Sequence, residues 1–515
     1  MTTISPLDAY NQKLIDYVHP PNWINPEPAS IYDLVVIGAG TAGLVVAAGA
    51  AGLGLGLKVA LIERNLMGGD CLNFGCVPSK TMIRSSRVIG EIWRGQELGI
   101  GASQVEVDFG AVMERLRRIR ADISHNDSAK RFRELGVDVF LGDGKFTGED
   151  TITVADRMLK FKKAVIATGA RAATPKIPGL VEAEYLTNET VFSLVERPHR
   201  LAIIGGGAVG CELAQTFQRL GCEVFLLHNH SQILNKEDLD AAAILQQVLI
   251  KEGVNLILDC QVQGVGIDRS GKTITYTSLE RASATPKGGR TDTITVDEIL
   301  LGAGRTPNIE SLNLSQVGVD FDETGVKVND YLQTTNPKIY AAGDVCMKWK
   351  FTHAADAAAR IVIKNTLFSP FGLGKSKLSD LVMPWVTYTD PEVAHVGLSE
   401  HEAQAKRLQF GTIKIEMSGV DRAITDGETA GFLKIIHRQG SDEILGATIV
   451  ASHAGEMISE ITTAMVNKIG LSKLSSVIHP YPTQADCIKK AADAYRRTLL
   501  TSRTKKLLGL LAKLS

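Results

Sequence analysis

The chain has almost no net charge: 56 Lys plus Arg stand against 57 Asp plus Glu in 515 residues. Such a balance leaves no field to recruit nucleic acid or an acidic partner, and that function class is excluded. Cysteine is scarce too. Seven in so long a chain make no secreted disulfide framework, and no signal peptide is read at the start. A reducing cytosol is therefore expected, where a close cysteine pair is catalytic more often than structural. No second Cys/His pair follows at metal-ligand spacing, so no resident metal is expected. With 44% hydrophobic and 22% charged residues, nothing suggests disorder, and the length predicts three or four domains.

Charge is missing altogether from Leu34 to Leu57, 24 residues that hydropathy alone would assign to a membrane span. The glycines argue otherwise. Gly38, Gly40 and Gly43 form G-x-G-x-x-G directly after the apolar strand Ile31–Ile37 and open an Ala/Gly-rich helix that includes Ala42. Lys58–Glu63 then reads as the next strand, ending in an acid. Parallel strands buried on both faces explain the unbroken apolar run. A second fingerprint, Gly205, Gly207 and Gly210, follows Leu201–Ile204 and precedes the strand Glu223–Leu227. Two complete units imply two bound dinucleotides.

Between them lies Gly68-Gly69-Asp70-Cys71-Leu-Asn-Phe-Gly-Cys76-Val-Pro78-Ser-Lys80. Residues five apart on a regular helix are separated by roughly 8 Å, beyond what a disulfide tolerates, so Cys71 is expected in the turn before a helix that Cys76 opens. Pro78 suits a first helical turn, and Lys80 falls one turn beyond Cys76 on the same face. A helix N-terminus and a nearby ammonium both favour thiolate, making Cys76 the low-pKa member of a redox pair.

Elsewhere, residues 1–30 read as an arm too proline-rich for a regular element. Residues 31–185 form a first dinucleotide domain closed by Ala164–Gly169, and residues 186–308 a second, closed by Gly302-Ala-Gly-Arg305-Thr-Pro-Asn308. A surface loop is expected over 281–293. Residues 309–380 return to the first domain and contain Ile339-Tyr-Ala-Ala-Gly343-Asp344. Residues 381–500 alternate strands with amphipathic helices, as an α+β domain does. The stretch from Arg496 mixes Leu with Arg and Lys, and 501–515 suits a basic amphipathic helix that lies on a membrane surface or docks on its own protein.

These blocks, in this order over residues 31–495, resemble the class I pyridine nucleotide-disulfide oxidoreductases, the family of dihydrolipoamide dehydrogenase, glutathione reductase and mercuric reductase. The resemblance implies an α/β fold with two Rossmann-like domains and a C-terminal α+β dimerisation domain, FAD on the first fingerprint, NAD(P)H on the second, and a homodimer. It implies that Cys71 is the interchange thiol that meets substrate and Cys76 the charge-transfer thiol against the flavin. Lys80 and Glu212 match the ion pair beside the flavin N5. Glu63 matches the acceptor of the adenosine ribose hydroxyls and Asp344 the carboxylate on the ribityl chain. Gly69, Asp70, Gly144, Thr168 and Gly169 resemble further FAD contacts, and Gly302 and Arg305 belong to the cofactor-binding set.

Two features narrow the chemistry. The strand after Gly210 ends Leu227-His228-Asn229-His230, with no carboxylate to take ribose hydroxyls; NADPH is favoured over NADH, and His228 is the candidate phosphate contact. Where the family's disulfide reductases carry His-Pro-Thr-x-x-Glu, this chain has Tyr481-Pro-Thr-Gln-Ala-Asp486. A phenol with a pKa near 10 is a poor proton shuttle. Mercuric reductases resemble the chain in this tyrosine, and Hg(II) as a thiol complex is the expected acceptor, with Tyr481 serving the site across the dimer and Asp486 orienting it. The tail carries no vicinal cysteine pair; Cys487 is read as buried, as are Cys211, Cys222, Cys260 and Cys346 in helix or strand patterns. The alternatives are a dihydrolipoamide dehydrogenase-like or quinone reductase with His479 or water as proton source, and a membrane-associated redox sensor.

Overall fold

Strand, tight turn and helix account for the uncharged run. Tyr32–Ile37 leads through the glycines into the helix Thr41–Ala51, and Val59–Glu63 pairs in parallel with the first strand. No side chain of Leu34, Val35 or Val36 reaches solvent. The computed structural model describes residues 4–101, 105–278 and 289–514. Among these, no helix is long and apolar enough to cross a membrane.

The first sheet runs Val137–Leu141, Val59–Glu63, Tyr32–Ile37, Arg157–Ile166, then Thr151–Val154 and Gly144–Gly148. Its parallel part is completed by Ile339–Ala341, which pairs in parallel with Arg157–Ile166. The second sheet is parallel throughout, in the order Asn255–Ile257, Glu223–Leu227, Arg200–Ile204, Glu298–Leu301. A three-stranded antiparallel sheet, Cys260–Asp268, Gly271–Ser278 and Thr291–Val296, extends it. Most of the loop expected over 281–293 lies outside the described residues; Thr291–Val296 is strand.

The last domain is a five-stranded antiparallel sheet, in the order Pro384–Thr387, Glu392–Gly397, Ile444–Ala451, Phe432–Arg438, Phe410–Glu416. The helices Ala454–Val466 and Asp486–Thr498 cover it, burying Ile458, Ile461, Ile488 and Ala491.

The N-terminal arm differs from expectation. Ala9–Val18 is a helix, capped by Asp8, whose carboxylate accepts from Asn11 N at 2.8 Å. All four prolines of the arm's second half lie beyond it, at 20, 21, 26 and 28, so none interrupts its hydrogen bonds. Leu14 and Val18 pack into the core around Thr41–Ala51, and Arg120 donates to Asn11 Oδ1 at 2.6 Å. Truncating so buried a leucine as Leu14 to Ala costs about 2–5 kcal/mol. Tertiary packing, which composition does not report, turns the arm into part of the first domain.

Candidate active site

Each glycine turn forms a cradle at a helix N-terminus. Gly38 has φ +102° and Gly205 has φ +120°, in the left-handed region, and a Cβ at either would strike the carbonyl of a neighbouring strand end. Gly43 and Gly210 allow helix and strand to touch: a Cβ there would lie 1.8 Å from Gly38 O and 1.9 Å from Gly205 O. Gly40 and Gly207 are different. Their φ values of −77° and −79° suit any residue, and an added Cβ would meet only Gly69 Cα at 3.8 Å or open space. The helices they cap, Thr41–Ala51 and Ala208–Arg219, have no side-chain cap, so their first N–H groups are left to whatever lies in the cradle.

Beyond the first cradle, Gly38, Glu63, Gly144, Thr168 and Asn308 line one cleft. Glu63 accepts from Ala39 N at 2.6 Å and from Asn65 N at 2.7 Å. Burial pushes its carboxyl pKa up against those two donors. Thr168 and Asn308 lock together: the threonine hydroxyl donates to Asn308 O at 2.7 Å, and the amide returns a bond to Thr168 O at 3.0 Å. Gly169 follows at φ +66°. Ala42 packs near Gly343, and Gly302 lies against the second turn at Gly205 and Gly210.

In the second cradle His228 occupies the place that Glu63 has in the first. Gly206 N donates to His228 Nδ1 at 3.1 Å, as Ala39 N donates to Glu63. An Nδ1 that accepts is unprotonated, so the ring's hydrogen is on Nε2, which is buried without a hydrogen-bond partner among the described residues. Burial, then the neighbouring His230, holds the His228 pKa below the ordinary value.

The cysteines lie in two successive helices, not in a turn and a helix. Gly68 and Gly69, both left-handed at φ +89° and +58°, start a five-residue helix, Gly69–Asn73, which carries Cys71. The chain breaks at Phe74–Gly75, and Cys76 opens the long helix Cys76–Arg94. Cys71 thus precedes the Cys76 helix as spacing requires, but in a turn of helix of its own. A hydrogen bond from Cys71, the Thr352 hydroxyl 3.2 Å away and the Lys80 ammonium lower the Cys76 pKa despite burial, while the same contact and burial raise that of Cys71. Nothing in the sequence marks Thr352, which begins the helix Thr352–Leu367, 276 positions from its partner.

Lys80 Nζ lies 2.8 Å from Glu212 Oε2, joining the Cys76 helix to the second glycine helix. Glu212 also accepts from Tyr388 N at 2.9 Å, and the ammonium stands 4.6 Å from the Tyr388 ring. Burial opposes the charge on Lys80, but Glu212 outweighs it and its pKa is raised. Tyr388 is a further residue that no motif announced. Arg305 faces the first cradle's side rather than the second turn: it lies 3.1 Å from Asp70 and 3.3 Å from Asp344. Asn188 donates to Asp70 at 2.6 Å. Burial raises the Asp344 pKa, with Arg305 acting against it.

Tyr481 and Asp486 lie apart from this cluster within the chain. The Tyr481 ring is 74% exposed, and its hydroxyl donates to Asp421 Oδ2 at 3.0 Å, a contact that raises its pKa further. Asp486 opens the helix Asp486–Thr498, 3.7 Å from Lys490. His479 turns to Glu460, 3.0 Å away, with 4% of its side chain exposed. Cys487 is fully buried, and burial drives its pKa up. Cys211, Cys222 and Cys260 are buried as well; Cys346 sits in a turn after Asp344, outside helix or strand.

The family model for pyridine nucleotide-disulphide oxidoreductases matches residues 32–359, and that for the family's dimerisation domain matches 383–492. The chain belongs to the pyridine nucleotide-disulphide oxidoreductases. Mercuric reductase of Staphylococcus aureus is 35% identical over 463 residues, covering 90% of this chain and 82% of the relative. Dihydrolipoyl dehydrogenase of Chlamydia trachomatis is 33% identical over 467 residues, covering 90% and 96%. Among solved structures, the HOCl-induced flavoprotein disulfide reductase RclA of Escherichia coli matches at TM-score 0.78 and 26% identity, covering 90% of this chain and 99% of that one. LpdA of Mycobacterium tuberculosis matches at TM-score 0.78 and 26%, covering 91% and 100%.

Members of this oxidoreductase family bind FAD and a pyridine nucleotide. The residues present fit both. Gly40 and Gly207 are spared side chains at positions where the backbone needs none spared, above uncapped helix ends suited to pyrophosphates. The dimerisation domain supports a homodimer.

Proposed function

We propose that this oxidoreductase uses NADPH to reduce Hg(II) bound as a thiol complex, through FAD and the Cys71–Cys76 pair. The overall reaction is NADPH + H+ + Hg(SR)2 giving NADP+, Hg(0) and two RSH: the hydride supplies the electron pair, and its proton and the one from solvent go to the released thiolates. FAD held at the first glycine cradle would supply the two-electron chemistry that links the nicotinamide to the cysteines. The chain's own residues do the rest. Lys80, held by Glu212, supplies a fixed positive charge beside the cysteine helix. Thr352 and Lys80 favour thiolate at Cys76, and Cys71, on its own short helix, is the sulfur that meets the acceptor.

The observation that carries this reading is the missing acid–base dyad. A disulfide acceptor needs its leaving thiolate protonated in place, whereas an Hg–S ligand leaves as an already stabilised thiolate. Tyr481, bonded to Asp421, with its pKa raised, is no proton donor matched to neutral pH. NADPH is favoured because the His228 ring, with its Nε2–H, stands where an acid would repel a 2′-phosphate.

A second reading, a disulfide reductase, rests on His479 and Glu460, an imidazole–carboxylate pair displaced by two positions. Steady-state NADPH oxidation by the flavin-loaded dimer with Hg(II) in excess thiol, lipoamide, glutathione disulfide or a quinone separates them. Fast turnover with mercury, abolished in Cys71→Ser, and slow turnover with both disulfides support the first. Fast lipoamide reduction, abolished in His479→Gln, replaces it with the second.

A further inference from the structure

The helix Ser502–Leu514 is the one long helix among the described residues with no buried residue. None of its side chains belongs to a hydrophobic core cluster. Yet it is rich in leucine: Leu507, Leu508, Leu510, Leu511 and Leu514 are between 49% and 76% exposed, and Leu499 and Leu500 just before it are 48% and 43% exposed. At about 100° per residue the five helical leucines fall within a sector of roughly 160°, while Lys505, Lys506 and Lys513 project from the opposite side. From Ala494 to Leu514 the sequence has Arg496, Arg497, Arg503, Lys505, Lys506 and Lys513 and no acid. In a chain whose formal charge is −1, this is a local concentration of one sign next to an apolar face.

We propose that Ser502–Leu514 docks the enzyme on an anionic phospholipid surface. An apolar stripe backed by lysines is the pattern of a helix lying in a bilayer interface, leucines among the acyl chains and ammonium groups at the headgroups. Other occupants satisfy half of it. A nucleic acid would take the charges and leave the leucines in water. The same helix of a second copy would cover the leucines and bring four like charges against four. The helix also lies beyond residue 492, where the family's dimerisation domain ends. Gly509 sits at its centre and lowers its intrinsic helicity, so the helix gains order when its apolar face is covered. In a homodimer two such helices act together, and binding rises steeply with the anionic lipid fraction.

The test uses the flavin-loaded full-length dimer and vesicles of pure phosphatidylcholine or phosphatidylcholine with 30% phosphatidylglycerol, at about 0.1 M salt, with Leu507→Glu/Leu511→Glu, Lys505→Glu/Lys506→Glu and a chain ending at residue 500. Co-sedimentation of the natural chain with the anionic vesicles, on the order of tenfold above the neutral ones and lost at high salt, is expected. Both double variants and the shortened chain should stay in the supernatant with dimer mass and NADPH oxidation unchanged. Equal binding to neutral vesicles, no binding to anionic ones, or undiminished binding by the shortened chain overturns the proposal. So does a shortened chain that falls apart to monomers, which would assign the helix to the partner subunit.

Discussion

The amide of Gly206 donates its hydrogen to Nδ1 of His228 across 3.1 Å, which fixes the imidazole as the neutral tautomer with hydrogen on Nε2. In the first cradle the corresponding bond goes to a carboxylate, Glu63, on a strand end of the same kind. The chain thus runs two copies of one device and changes a single acceptor, removing the negative charge from the second.

On the proposed NADPH reading, cofactor preference rests on residue 228. His228→Glu should raise the NADH-to-NADPH ratio of kcat/KM by about tenfold or more, by restoring an acceptor for ribose hydroxyls and repelling phosphate. Because the His228 pKa lies below the ordinary value, its Gly206 contact is intact above about pH 6.5. It is lost as pH falls through the folded-state pKa, when a proton on Nδ1 displaces the amide. The KM for NADPH should be flat above that pH in the natural enzyme and change through a titration below it that is absent in His228→Asn.

The cysteines should titrate apart. With the pair reduced, one thiolate forms below the ordinary value of about 8.5 and the other only above it, following the lowered pKa of Cys76 and the raised one of Cys71. Thiolate absorbance near 240 nm against pH measures both. Cys71→Ala removes the largest cause of the Cys76 shift and should move the first transition upward; Lys80→Met and Thr352→Val should each move it less.

Glycines that look alike in the sequence should fail differently. Gly43→Ala drives a Cβ into Gly38 O and should prevent folding of the first domain or lower its stability by several kcal/mol, about 3 or more. In Gly40→Val the added Cβ meets no backbone closer than 3.8 Å, so circular dichroism should report a native fold, while the purified protein carries little flavin at 450 nm.

Much of this arrangement was legible in the chain because it is local. Strand, glycine turn and helix follow within a dozen residues at each fingerprint, and Cys76 opens its helix beside Pro78 where capping rules put it. The Glu212 partner of Lys80, 132 positions away, was legible only through family resemblance. Thr352 and Tyr388 were not legible, since each reaches the site through a domain packing that no short pattern encodes. The helix Ala9–Val18 was hidden by the prolines after it, because the leucine and valine that hold it are buried by a domain formed later in the chain.

The acid–base deficit can be repaired. Tyr481→His together with Asp486→Glu recreates the sequence of the family's disulfide reductases at that segment and should raise turnover with lipoamide or glutathione disulfide by on the order of tenfold or more. Tyr481→Phe, which loses only the Asp421 bond, should change disulfide turnover by less than about threefold. Melting temperatures show whether either variant is misfolded.

The most direct measurement follows mercury vapour released from Hg(II) in excess thiol, with NADPH as sole reductant, by the flavin-loaded dimer and by Cys71→Ser and Cys76→Ser. One Hg(0) per NADPH consumed from the natural enzyme, and none above background from either variant, is the predicted result. Mercury release that persists without Cys71, or NADPH consumption by lipoamide that outpaces it, would contradict it.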